Sequence, residues 1–217
     1  MFKRFFIVAL FGMAFAYIES AVVVYLRVIF HPGGFTFPMA AIDPSSKRLL
    51  LTEIGREAAT LVLILTGAWL FGKNRQQRFA YFMAIFAVWD IFYYVWLKVL
   101  INWPASISDW DILFLIPVVW ASPFWAPVLT SVIMLFFAVI ILYRDTLGRP
   151  LRVAALDWLF FVAASLIVVV SFCISGSHID QQNFNSYFYR PLFAAGNILA
   201  VLVFLKCYLR SGRQIVT

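Results

Sequence analysis

The sequence predicts an all-α integral membrane protein with six transmembrane helices and both termini cytoplasmic. Three observations carry this. Of 217 residues, 64% are hydrophobic and only 12% charged, about half the ~25% charge of a soluble domain. The apolar residues gather into six runs, each close to the ~20 residues that cross a hydrocarbon core. The basic residues alternate in abundance between successive connecting segments, as topology by the positive-inside rule requires.

The first run, Phe5–Phe30, follows Lys3 and Arg4. Its opening, MFKRFFIVALFGMAFA, has the basic start and small-residue pair of a signal peptide. The apolar stretch continues far beyond a signal core, so an uncleaved first span is expected. The second run, Leu49–Phe71, is separated from the third, Phe79–Ile101, by a short basic turn with Lys73, Arg75 and Arg78. Next comes an apolar piece broken by Pro117, Pro123 and Pro127. Proline interrupts a helix, so a re-entrant or interfacial segment at 110–123 is expected, leading into the fourth run, Phe124–Tyr143. Val153–Ile174 and Pro191–Leu209 complete the set, and residues 1–217 form a single transmembrane domain.

Eleven Lys and Arg lie in the N-terminal segment, the loops after the second and fourth runs, and the C-terminal segment, whereas the other loops hold only Lys47, Arg48 and Arg190. This bias orients the chain and suggests a multi-pass protein of a bacterial-type cytoplasmic (inner) membrane. The net charge of +7 sits in short runs beside apolar spans, so membrane lipids rather than nucleic acid are the expected partners. Cys173 and Cys207 fall near opposite ends of adjacent runs, which argues against a disulfide.

The second run opens with LLLTEIGREAA, placing Glu53, Arg56 and Glu57 inside an apolar segment. At about 1.5 Å per residue, Glu19, Glu57 and Asp90 reach nearly one depth near the midplane. Ionisable groups at such depth must face the bundle interior and need partners. Glu53 and Glu57, four apart, share a face. The candidate ligand-binding set is therefore Glu19, Glu53, Arg56, Glu57, Asp90, Tyr94 and Asn197. Lys98, Asp109 and Asp111 are placed at the pocket mouth, where the two Asp would draw cations inward.

Glu19, Glu57 and Asp90 offer only oxygen, which suits a hard divalent cation or a proton relay. Zinc is not expected, because the two histidines, His31 and His178, form no HxxxH or HExxH pair. Haem is not expected either, since both lie in loops. No nucleotide-binding fingerprint or catalytic constellation is legible, so the reading leans away from an enzyme.

The leading expectation is a membrane protein whose acidic pocket, open to the extracytoplasmic side, binds or moves a cation, proton or small polar ligand. One alternative is a non-catalytic subunit or assembly factor of a membrane complex, with other membrane subunits as partners. Another is an intramembrane enzyme on a lipid or isoprenoid substrate.

Overall fold

The computed structural model describes residues 2–39 and 47–212. Six long helices occupy the segments expected: α1 (Phe2–Phe30), α2 (Lys47–Phe71), α3 (Arg75–Ile101), α4 (Trp125–Thr146), α5 (Ala155–Gly176) and α6 (Arg190–Gly212). All except α2 are both long and apolar enough to cross a membrane. Their outward faces carry exposed large apolar side chains such as Phe6, Leu10, Phe136, Leu159 and Leu202. Water would not tolerate so much contiguous apolar surface, and lipid does.

Helix ends follow local chemistry. Asn74 starts α3 by accepting the Gln77 N–H on its side chain at 2.8 Å, as an N-cap should. Asn102 ends the same helix in the left-handed conformation, φ 53°, which Asn tolerates better than most residues. Asp157, in the first turn of α5, accepts the Ala154 N–H at 2.8 Å. It also pairs with Lys206 and Arg210 of α6, so the start of α5 is tied to the end of α6.

Helix α3 is the centre of the fold and packs against α1, α2 and α4. Close approach to α1 depends on Gly12, where a Cβ would stand 2.9 Å from Val88 Cγ1. Helices α5 and α6 form a second body, which contacts α4 only lightly.

The segment expected to be re-entrant or interfacial is a β-hairpin. Strand β1 (Trp110–Phe114) pairs antiparallel with β2 (Trp120–Pro123), in the register Asp111 to Ser122 and Ile112 to Ala121. Pro117 and Pro123 bar a helix there, and the flanking Val, Ile, Phe and Trp residues favour strands. The pairing satisfies the backbone groups on the facing edges of the two strands.

Strand β2 packs on α5. At Gly176 a Cβ would stand 1.8 Å from the Val119 carbonyl oxygen, so only glycine admits the hairpin there. Ser175 Oγ donates to the Ala121 carbonyl on the same face.

Candidate functional site

The helices enclose a cavity of about 890 Å³, with walls drawn from every helix and from the hairpin. Its long walls are apolar, with Phe82, Phe86, Met134, Phe137, Val168 and Phe172 among them. Polar groups are gathered toward the hairpin end.

Arg56 organises the first polar group. Its Nε donates to Glu53 Oε2 at 2.8 Å, and its terminal nitrogens engage Glu53 and Glu19. The i,i+3 spacing of Glu53 and Arg56 puts them on one face of α2, while Glu19 arrives from α1. Thr60 Oγ1, one turn further along α2, donates to the second Glu19 oxygen at 3.4 Å. One guanidinium thus serves two carboxylates on two helices, the fork geometry for which arginine is suited.

Glu57 takes no part in that network. Only 6% exposed, it accepts the Leu115 N–H on both carboxylate oxygens, at 2.8 and 3.1 Å. A side chain of α2 thereby holds the tip of the hairpin. Asp90 on α3 is half-buried and lines the cavity. Its Oδ2 accepts from Ser131 Oγ of α4 at 2.8 Å.

Asp111, in β1, is 2% exposed. Its Oδ1 accepts from Arg27 Nη2 of α1 at 3.1 Å. The Arg27 guanidinium also lies over the rings of Phe35, at 4.1 Å, and Trp103, at 3.9 Å. Cation–π contact of this kind partly replaces lost water. His31, in the loop after α1, has its pKa pushed down by partial burial and by the Arg27 charge. It therefore adds no positive charge there near neutral pH.

Glu19, Glu53, Arg56, Glu57, Asp90, Tyr94, Asn197 and Asp111 all line the one cavity. They do so as separate stations with separate partners rather than as one hydrogen-bonded cluster. Among the described residues, no three His, Cys, Asp or Glu side chains are gathered as a metal shell. Asn197 accepts from Thr130 Oγ1 at 3.3 Å and donates to the Phe193 carbonyl, linking α6 to α4.

Two mouth residues lie elsewhere. Lys98 donates to the Pro104 carbonyl at 2.9 Å, closing the end of α3. Asp109 accepts the Ala105 and Ser106 N–H groups at 2.7 and 3.1 Å and shapes its own loop.

Sequence reasoning missed Trp89, Trp120 and Gln76 as cavity residues. It also missed the pairing of Arg27 with Asp111. Ser131 had a legible signal, since its depth in the fourth run lies within about one helical turn of that of Asp90. The partnership of Arg27 and Asp111, 84 residues apart, leaves none.

Helix α2 packs chiefly on α3, and α5 on α6 and β2, so α2 and α5 share no extensive contact. The hairpin tip closes this gap at one end. Phe79 of α3 packs on Trp158 of α5, with ring centroids 4.9 Å apart. The exposed Ser165 of α5 is among the lining residues.

Fold and surface define a helical membrane protein with an internal cavity. Compared with known protein families, curated proteins and solved structures, the chain matches none.

Proposed function

We propose that this is a six-span protein of a bacterial-type inner membrane, with both termini cytoplasmic. It takes an amphipathic, lipid-like molecule sideways into its cavity and holds the polar end near Glu57, Asp90 and Asp111. The observation that carries the reading is the cavity itself. About 890 Å³ of space with mostly aromatic and aliphatic walls lies within the 300–1,000 Å³ typical of ligand pockets. Those walls suit a hydrocarbon body, and the polar groups at one end suit a head. The sequence reading of a bare cation or proton uses the same acids, but it gives the long apolar walls no role.

Helix α2 counts as a span in this reading. Its 25 residues reach about 37 Å at 1.5 Å each. Its outward face from Val62 to Leu70 is apolar and exposed, and its charges turn toward the cavity. In intact cells, an impermeant maleimide is expected to label Ser108→Cys, whereas Arg149→Cys reacts only after permeabilisation. The reverse pattern would invert the topology.

Protein purified in mild detergent is expected to carry about one lipid-like molecule per chain by native mass spectrometry. If it carries none and takes up none from a bacterial lipid extract, the reading fails. A rise in unfolding temperature with Mg²⁺ or Ca²⁺ but not with lipid would restore the cation reading.

A further inference from the structure

We infer that the outer groove between α4 and α6 binds an anionic phospholipid, with one acyl chain along the groove and the phosphate on Arg190. This site lies outside the cavity and does not depend on what the cavity holds.

Helices α4 and α6 run in parallel. Trp125 meets Phe193 near their starts, with ring centroids 5.6 Å apart, and Phe137 meets Phe204 further along, at 4.0 Å. The two helices nevertheless pack only lightly, and a groove of about 390 Å³ lies between them. Leu129 of α4 and Ile198 and Leu202 of α6 are exposed along it as rims, while Phe193 is 2% exposed and lies in the floor. Ala194 adds little bulk to the α6 side. Asn197 also lines the groove, but its amide is already engaged with Thr130 Oγ1 and the Phe193 carbonyl. The groove therefore offers its occupant an apolar surface.

Its dimensions fit one hydrocarbon chain. From Arg190 to Leu202 the groove follows α6 for about 18 Å, a little over half of the ~30 Å hydrocarbon core. It thus spans one leaflet and no more. The volume spread over that length gives a cross-section of about 20 Å². A helix about 10 Å across covers roughly 80 Å², so the groove is too narrow to seat one.

The end at Arg190 supplies the head contact. Arg190 is the first residue of α6, is exposed, and forms no ion pair among the described residues. Trp125 opens α4 beside it, and the exposed Tyr189 precedes it in the chain. Aromatic rings of this kind mark the level of lipid head groups. An unpaired guanidinium at that level, above an apolar groove one leaflet deep, complements a phosphate with an acyl chain hanging below it. In the topology proposed above this is the extracytoplasmic leaflet.

The groove is open along its length, so its lipid is expected to exchange with detergent and to be counted on adding lipid back. The test is native mass spectrometry of the detergent-solubilised full chain titrated with dioleoylphosphatidylglycerol, dioleoylphosphatidylcholine or glycerol 3-phosphate. One further phosphatidylglycerol adduct is expected, bound about fivefold more tightly than phosphatidylcholine, the worth of one Arg facing an anionic lipid. Glycerol 3-phosphate should give no adduct, because it lacks the chain. Arg190→Gln is expected to bring phosphatidylglycerol down to the level of phosphatidylcholine. Ala194→Trp and Ile198→Trp, both at exposed positions in the groove, should abolish the adduct while leaving the unfolding temperature and any molecule retained in the cavity unchanged. Equal binding of the two lipids by the wild-type chain, or no loss in Arg190→Gln, would overturn the phosphate assignment. An undiminished adduct in both Trp variants would overturn the groove. A dimer of the wild-type chain that either Trp variant dissociates would make the groove a contact between copies and overturn the inference.

Discussion

Arg56→Gln is expected to destabilise the solubilised protein by about 3–5 kcal/mol, the usual cost of breaking a buried pair. At roughly 2–4 °C per kcal/mol for a chain of this size, the unfolding temperature should fall by about 6–20 °C. The physical reason is the fork: Arg56 is the cation hydrogen-bonded to both Glu19 and Glu53. Without it, Glu19, which is only 8% exposed, keeps only the 3.4 Å contact from Thr60. Adding Glu19→Gln should restore much of the loss, because the stranded buried charge is then gone. Glu57→Gln in the same background should restore less, since Glu57 bonds to Leu115 and not to Arg56. Differential scanning fluorimetry of the single and double variants measures this. Wild-type stability in Arg56→Gln would show that the fork is not what neutralises these acids.

The second large effect is expected at Asp111. Asp111→Ala leaves Arg27 without its carboxylate in a nearly buried setting, again a loss of about 3–5 kcal/mol. The rings of Phe35 and Trp103 remain over the guanidinium and hold the cost toward the lower figure. Asp111→Asn keeps an acceptor for Arg27 and should lose less. Asp111→Ala with Arg27→Leu should recover stability, because no unpaired charge remains. Thermal unfolding is again the measurement. Amide hydrogen exchange across 110–123 should rise in Asp111→Ala and stay low in Arg56→Gln, because only the first change touches the hairpin. Equal exchange in the two variants would contradict the assignment of Asp111 as a hairpin anchor.

The six helices were legible because each rests on a long, largely apolar run, interrupted in α2 by Glu53, Arg56 and Glu57. Phe124, expected to open the fourth, lies one residue before the helix begins. The hairpin was not legible as strands: its apolar residues run continuously between prolines, and alternation cannot be read from such a run. Depth arithmetic gathered Glu19, Glu57 and Asp90 at one level, and all three line one cavity. Helix rotation and the hairpin then decided their partners. Leu115 reaches Glu57 through a backbone N–H, which every residue but proline possesses, so no side-chain pattern could announce it. Lys98 and Asp109 were drawn to the mouth by charge alone. Their own loop carbonyls and amides, a few residues away in sequence, claim them instead.

The contact pattern also sets an order of assembly as the chain emerges from the ribosome. Helices α2 and α3 meet across a three-residue turn and can pair as soon as both are inserted. Helix α1 must wait, because its partner is α3 and not its neighbour in sequence. Helices α5 and α6 pair with one another, yet α5 joins the rest chiefly through β2, which is translated before either of them. The hairpin is therefore the dock on which α5 and α6 settle, and the cavity acquires its far wall only after both helices have followed it into the membrane.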